Sequence, residues 1–304
     1  MAVTSATAVA RAVPPPGEIA VAAERKQSIL NWILLAPALL MLTFSLLLPL
    51  LIVFRNAVFP AGQPGFSLFY FEKFLSDPYF LGVLWRTFRL GVIATVFTLV
   101  PGYVLAHNIA LHPNARWRMF VMIVTLVPLV VQLIIRVFGW LAVLSPNGTI
   151  NSLLRELDLI DSPLRLLFTE TAMMIGFVHS HLYFMVLPIA ATLMKIDPNL
   201  MRASENLGAT PAKTFINVIL PLSMPGVVSG CLICFALNIS DFVAPSVLGG
   251  NRNRMMTYTI FEQQLYVANQ HFAAAATVIL MAAASLAIAG AFRAAAFYGR
   301  RFGT

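Results

Sequence analysis

The chain has 304 residues, of which 59% are hydrophobic and only 11% are charged. Soluble domains carry roughly 25% charged residues, and a soluble core of this size could not bury so much apolar surface. Composition therefore excludes an ordinary soluble protein and indicates a chain that spans a membrane. The formal net charge of +8 does not indicate a nucleic-acid partner, because the basic residues lie mainly between apolar runs, where they orient membrane spans.

Residues 1–28 are rich in Ala, Val and Pro, with a Pro-Pro-Pro-Gly run that begins at Pro14. We expect a flexible tail here. The segment does not fit a cleavable signal peptide, because no apolar run starts before Ile29 and the run that starts there is too long.

Six apolar stretches follow, each close to the roughly 20 residues that cross a bilayer as a helix. They cover residues 29–54, 87–107, 119–144, 171–194, 222–248 and 272–293. The sequence therefore predicts an all-α membrane protein, with a six-span domain over residues 29–294 and a short C-terminal tail over residues 295–304.

An even number of spans places both chain ends on one side of the membrane. Lys and Arg are slightly more frequent in the segments on the side of the termini, and acidic residues cluster on the other side. Because positive charge is retained in the cytoplasm, we expect both termini to be cytoplasmic. Between spans three and four, the outer segment "INSLLRELDLI" has helical periodicity and predicts a short surface helix.

The segment between spans four and five, residues 196–221, carries the most specific local signals. Asp197 can cap a helix that starts at Pro198, and Gly208 can end it in a left-handed turn. Thr210 can cap a second helix that starts at the next residue, a proline. We therefore expect two short helices beside the membrane, and a break at Pro221 before span five.

The same segment is similar to the EAA loop of ABC import permeases, whose pattern is E-A-A-x-x-x-G, nine residues, then I-x-L-P. The matching residues are Ala203, Gly208, Leu220 and Pro221, with mild substitutions at Ser204 and Val218. Arg202 stands where the family has Glu, which reverses the charge at that position. The resemblance implies an ATPase-coupling surface formed by Arg202, Ala203, Ser204, Glu205, Asn206, Leu207, Gly208 and Ala209.

Further phrases resemble the spermidine/putrescine-type permease subfamily over about residues 30–293. They are "LVPLVVQLIIRVFGW", "SPNGTINSLL", "HLYFMVLPIAATLMKID" and "DFVAPSVLGG". The resemblance implies the six-helix fold of type I ABC importer permeases in a bacterial inner membrane. It also implies three partners besides lipid: a cytoplasmic ATPase dimer, a second permease and a periplasmic substrate-binding protein. We expect the second permease to be a different chain, and an identical copy is the alternative.

The chain itself has no signature of catalysis. It lacks the G-x-x-x-x-G-K-[ST] phosphate loop, so we expect ATP and magnesium to bind the partner ATPase and this chain to hold no cofactor. His179 and His181 are two residues apart, and on a helix they point in directions too different to share a metal. Cys231 and Cys234 lie in an apolar run without nearby His or acidic residues, so helix packing explains them better than redox chemistry.

Two ionisable residues lie inside predicted spans, where charges are costly and face the bundle interior. Arg136 in span three and Asp241 in span five lie at similar predicted depths, so they can form an interior pair. The alternative is that Asp241 meets a cationic substrate.

Two other classes of function compete with the import permease. An ion-coupled secondary transporter should show inverted repeats and several deep acids, and we find no repeat and one deep acid. The second competing class is a membrane subunit without a transport path. For the substrate, polyamines are the first expectation, and opines, gamma-aminobutyrate-like amino acids, aminoethylphosphonate and ferric iron remain open.

Overall fold

A computed structural model describes residues 16–60 and 65–301, and the regular structure in these ranges is helical. The α-helices are α1 (Pro16–Val58), α2 (Phe69–Ser76), α3 (Pro78–Leu111), α4 (Ala115–Val130), α5 (Leu133–Leu144), α6 (Thr149–Glu156), α7 (Glu170–Leu193), α8 (Pro198–Asn206), α9 (Pro211–Thr214), α10 (Leu220–Ser240), α11 (Met256–Leu265) and α12 (Gln270–Arg301). The π-helical segments are Phe215–Ile219 and Pro245–Gly249, and a 3-10 turn covers Asn251–Asn253. The all-α fold class predicted from the sequence is confirmed.

Six segments of these helices are long and apolar enough to cross a membrane. They are Leu35–Val58, Pro78–Leu111, Leu133–Glu156, Glu170–Leu193, Pro211–Ser240 and Gln270–Ala295. The predicted number of spans is therefore confirmed, and the bounds of the third and fifth differ in ways that matter for the interior charges.

The helices at both ends of the chain extend beyond the predicted spans. Helix α1 starts at Pro16, so residues 16–28 are helical, while the rest of the expected flexible tail lies outside the described residues. The reason is local: Pro16 is suited to a first helical position, and the residues after Gly17 are good helix formers such as Ala, Glu and Lys. Helix α12 continues to Arg301, past the expected tail boundary at 295, and residues 302–304 are not described.

The chain divides into two compact units between Arg55 and Asn56. In the second unit, α3, α7 and α10 pack against one another at the centre of a bundle. Small residues allow this close approach. A Cβ added at Gly226 of α10 would lie 2.7 Å from the Pro188 carbonyl oxygen of α7, and one added at Gly91 of α3 would lie 2.5 Å from Ile239.

The bundle has two separate hydrophobic clusters along its length. The cluster at the end that carries α8, called here the loop side, includes Ile109, Val121 and Leu193. The cluster at the other end, called here the far side, includes Leu90, Val137 and Met173 among its buried residues. Val121 of α4 belongs to the loop-side cluster and Val137 of α5 to the far-side cluster, so these two helices follow one another along the bundle and cover the predicted third span, 119–144. The apolar segment Leu133–Glu156 instead runs from α5 into α6 and leaves α4 out.

Helices α4 and α5 are separated by Val131 and Gln132, which are not helical. Pro128, inside α4, has no N–H to donate and removes a hydrogen bond from the later turns of that helix. Span five begins and ends earlier than the predicted 222–248, because it covers Pro211–Ser240. Helix α10 ends at Ser240, Asp241 is its extended C-cap, and helical structure resumes at Val243 and continues through the far-side π-helical segment Pro245–Gly249.

On the far side, the predicted surface helix is present as α6. Its Asn151 is fully buried and ties the loop together, since its amide donates to the carbonyl oxygens of Ser145 and Leu164 and accepts from Leu164 N. A third cluster, built on Phe74, Met256 and Phe272, packs α2, α11 and α12 against the start of α3.

Candidate functional site

Helix α8 has the capping that its sequence predicts. The Asp197 carboxylate accepts a hydrogen bond of 2.9 Å from Asn199 N, and Pro198 occupies the first turn. After the helix, Gly208 has φ +81°, a conformation that glycine adopts without strain. The Thr210 hydroxyl accepts from Lys213 N at the start of α9. A capped helix, a left-handed turn and a second capped helix therefore follow one another as expected.

One face of α8 is attached to the bundle. Met201 and the preceding Ile196 pack against the loop-side cluster. The Ser204 hydroxyl lies 3.0 Å from the Thr214 hydroxyl, and Thr214 is buried at the end of α9. This attachment fixes the direction of α8 with respect to the following helix.

The other face of α8 is open. Of the residues predicted to form the coupling surface, Ser204 and Ala209 are half-buried and the others are exposed: Arg202, Ala203, Glu205, Asn206, Leu207 and Gly208. Leu207 is 88% exposed. An apolar side chain in this position, at the end of a helix with a fixed direction, is suited to insertion into a cleft of another protein.

The expected break at Pro221 does not occur. Helix continues from α9 through the π-helical segment Phe215–Ile219 into α10. Leu220 N donates to Phe215 O, five residues back. A π turn is wider than an α turn, so the chain accommodates a proline, which has no N–H, without ending the helix. The second helix of the loop and span five are consequently one continuous element.

The structure does not bring Arg136 and Asp241 into the expected direct ion pair. The ion pairs recorded among the described residues, Arg89–Glu170 and Arg254–Glu262, involve other charges. The expectation assumed that Asp241 lies within a continuous fifth span, whereas it lies at the end of α10. Val137, next to Arg136, and Ala244, three residues after Asp241, belong to the same far-side cluster, so the two charged residues lie in one neighbourhood.

Asp241 caps the segment that follows it. Its Oδ1 atom accepts hydrogen bonds from the backbone N–H groups of Val243 at 2.7 Å and Ala244 at 3.2 Å. The side chain is only 7% exposed, and its Oδ2 atom is buried without a hydrogen-bond partner. One carboxylate oxygen thus shapes the helix break and the other remains available.

Arg136 lies in the first turn of α5, where that helix meets α7. Its guanidinium carbon is 5.8 Å from the centre of the Tyr183 ring, a distance that allows a cation–π contact. One turn after Arg136 on α5 and one turn before Tyr183 on α7, the Trp140 and His179 rings meet edge to face at 5.6 Å. The Nε and Nη1 atoms of Arg136 are buried without hydrogen-bond partners.

The central helices are joined by a buried hydrogen-bond chain that sequence reasoning missed. His181 Nδ1 lies 2.7 Å from Asn238 Oδ1, and Asn238 Nδ2 donates to Thr95 Oγ1 at 3.2 Å and to Gly91 O at 3.4 Å. The chain links α7, α10 and α3. Because the Asn238 oxygen is an acceptor, His181 donates through its Nδ1 hydrogen. A polar Asn inside an apolar span was the available signal, since such residues bond across helices.

The two neighbouring histidines of α7 and the two cysteines of α10 have local roles in packing. His179 meets the Trp140 ring edge to face and His181 bonds to Asn238, so the two rings face different neighbours. The buried Cys234 thiol lies 3.4 Å from the His181 carbonyl oxygen. Cys231 is half-buried beside the loop-side cluster.

Comparison with known proteins finds similarity over most of the chain. A family model described as "Binding-protein-dependent transport system inner membrane component" matches residues 99–297. The spermidine/putrescine transport system permease protein PotB of Escherichia coli (strain K12) is 35% identical over 206 residues, which cover 68% of this chain and 74% of PotB. The PotB protein of Haemophilus influenzae (strain ATCC 51907 / DSM 11121 / KW20 / Rd) is 30% identical over 265 residues, 86% of this chain and 92% of the relative.

Among solved structures, a bacterial ABC transporter involved in the import of the acidic polysaccharide alginate has a similar fold. The TM-score is 0.75 at 17% sequence identity, with 90% of this chain and 98% of that chain covered.

Proposed function

Because the chain belongs to the family of binding-protein-dependent transport system inner membrane components, we propose that it forms one half of a pathway for polyamine import. Family and fold make it a multi-pass inner-membrane permease subunit of an ABC importer that works with a binding protein. Polyamines are proposed as the substrate because the relatives at 35% and 30% identity are named for spermidine and putrescine.

Coupling to ATP hydrolysis is proposed to pass through α8. The observation that supports this is the contrast between its two faces. Met201 and Ser204 hold the helix to the bundle, while Leu207, at 88% exposure, points away from it. Force applied to such a helix is transmitted directly to α10, because Ser204 bonds to Thr214 and helix is continuous from there into span five.

The remaining parts of the proposal follow from this coupling. The loop side faces the cytoplasm, together with both chain ends, and the far side faces the periplasm. A separate ATPase dimer binds ATP and magnesium, and this permease holds no cofactor and performs no catalysis. A second permease, different in sequence, provides the other half of the pathway.

The direct test is uptake in proteoliposomes that contain the complete importer and its binding protein. We expect uptake of radiolabelled spermidine only when ATP is enclosed, and competition by putrescine. Saturable uptake without ATP, driven by an ion gradient, would contradict the ATP-driven mechanism. Competition by gamma-aminobutyrate, an opine, aminoethylphosphonate or ferric iron, and none by putrescine, would reassign the substrate while leaving the mechanism intact.

A matched pair of variants tests the role of α8. Leu207→Asp places a charge on the proposed docking surface, and Leu159→Asp places one at a far-side position that is 65% exposed. Retention of the ATPase during purification should fall with the first variant and stay normal with the second. Equal retention in both would show that the Leu207 position is not part of the docking surface.

A further inference from the structure

Arg136 and Asp241 have complementary atoms that this structure leaves unused. Among the described residues, six buried side-chain atoms lack a hydrogen-bond partner, and they include Arg136 Nε, Arg136 Nη1 and Asp241 Oδ2. Two are donors on a cation and one is an acceptor on an anion. Buried charged groups are costly when they are left without partners, so these atoms indicate an arrangement other than the one seen here.

Both residues lie where the backbone can bend. Arg136 is in the first turn after the interruption at Val131 and Gln132, and Asp241 is itself the non-helical residue after α10. Interruptions of this kind absorb backbone rotation without loss of the hydrogen bonds inside the flanking helices, which is how hinges operate. A small rotation at either point changes the distance between the two side chains.

The parts beyond the two interruptions pack on each other. Val137 of α5 shares the far-side cluster with Ala244 and Leu248, which follow Asp241. The parts before the interruptions, represented by Val121 of α4 and Val227 of α10, belong to the loop-side cluster. The two interruptions therefore lie on the boundary between two separately packed layers, and a movement of one layer on the other acts directly on Arg136 and Asp241.

We propose that Arg136 and Asp241 form an ion pair in a second state of the transport cycle, and that this pair holds the far-side layer in its alternative position. The pair rests on the proposed coupling to an ATPase, because ATP binding supplies the change of state. In the present state Arg136 contacts the Tyr183 ring instead. Asp241 retains its cap on Val243 and Ala244 in both states, since that cap uses Oδ1 and the pair uses Oδ2.

Thiol cross-linking in the complete importer tests the proposal. Arg136→Cys and Asp241→Cys are combined in a background with Cys231→Ser and Cys234→Ala, and a bifunctional thiol reagent with the reach of an Arg–Asp pair is added. We expect the cross-linking rate to rise about tenfold between the nucleotide-free and vanadate-trapped complexes, within the usual range of coupling between sites. The matched control is Arg89→Cys with Glu170→Cys, a pair already in contact in this structure, whose rate should be similar in both states.

Three outcomes overturn the proposal. Equal cross-linking of the test pair in both states shows that the two positions do not approach each other. If the complex does not retain ADP with vanadate, the proposed coupling to an ATPase is wrong, and the change of state on which the pair depends does not occur. The third outcome is that Asp241→Asn raises the KM for spermidine while Arg136→Gln takes up spermidine normally. That result would show that Asp241 binds the substrate and does not pair with Arg136.

A second, independent test measures uptake by charge variants made in the protein that keeps Cys231 and Cys234. It does not require cysteines at positions 136 and 241. Arg136→Gln and Asp241→Asn should each lower the maximal rate, and the exchange Arg136→Asp with Asp241→Arg should recover part of it. Complex yield separates this effect from misfolding. Normal yield with normal uptake in both single variants would also refute the pair.

Discussion

His181 and Asn238 are joined by a 2.7 Å hydrogen bond in the centre of the bundle, and Asn238 extends that bond from α7 and α10 to Thr95 on α3. All three side chains are buried, with Asn238 at 0% exposure. Inside a membrane no water is available to replace these bonds. The three helices that form the core are thus held in one relative position by polar groups as well as by apolar packing.

Asn238→Leu should destabilise the permease without a direct effect on its partners. The substitution keeps a similar volume but leaves the His181 Nδ1 hydrogen without an acceptor. An unsatisfied buried polar group costs about 1–3 kcal/mol. We expect a lower thermal unfolding temperature of the detergent-purified protein, measured by intrinsic fluorescence.

The control for Asn238→Leu is Ser240→Ala on the same helix. The Ser240 hydroxyl is exposed and bonds only within α10, to the carbonyl oxygens of Ala236 and Leu237. Its loss should leave the unfolding temperature nearly unchanged. If both variants unfolded at the wild-type temperature, the buried chain would not contribute to stability.

Sequence reasoning predicted the elements that depend on local chemistry. The capped start of α8 at Asp197 and the turn at Gly208 require only neighbours in the chain, and both are present. The number of spans depends on composition over about 20 residues and was also predicted. These features are determined before any helix meets another.

The features that sequence reasoning missed depend on contacts between distant segments. The expected break at Pro221 is absent because the preceding π turn accommodates the proline. The expected pairing of Arg136 with Asp241 relied on an uninterrupted fifth span, and the end of α10 at Ser240 removes that basis. The partner of Asn238 could not be predicted, since Gly91 and Thr95 are more than 140 positions away in the sequence.

Gly208→Val should weaken ATPase binding while the permease still inserts and folds. Gly208 has φ +81°, which a β-branched residue resists, although a Cβ there would meet no atom within 4 Å. The strain therefore acts on the end of α8 alone. Co-purification of the ATPase should fall several-fold for Val and remain close to wild type for Gly208→Asn, because Asn tolerates this conformation.

The control for this backbone effect is Gly82→Val in α3. A Cβ at Gly82 also meets nothing within 4 Å, and its φ is not in the left-handed region. Normal ATPase co-purification is expected with this variant. Wild-type co-purification with Gly208→Val as well would mean that the left-handed turn is not required for docking.

The proposed orientation is tested by thiol labelling in intact cells, with Cys231→Ser and Cys234→Ser as the background. Ser162→Cys, on the exposed far side, should react with a membrane-impermeant maleimide, and Ala212→Cys, on the exposed loop side, should react only after the cells are opened. The opposite pattern would place α8 in the periplasm and remove the proposed coupling.

Gly226→Ala should separate α10 from α7. The added Cβ would lie 2.5 Å from Thr192 Oγ1 and 2.7 Å from the Pro188 carbonyl oxygen, and backbone cannot move aside without displacing the helix. Overpacking of this kind typically costs 1–3 kcal/mol, so we expect a lower unfolding temperature and a lower yield of folded protein. Gly290→Ala on α12 is the matched control, because a Cβ at that position meets nothing within 4 Å and alanine is the better helix former. The control should unfold at or slightly above the wild-type temperature. A normal unfolding temperature for Gly226→Ala would mean that α7 and α10 tolerate a wider separation than the close approach at Pro188 implies.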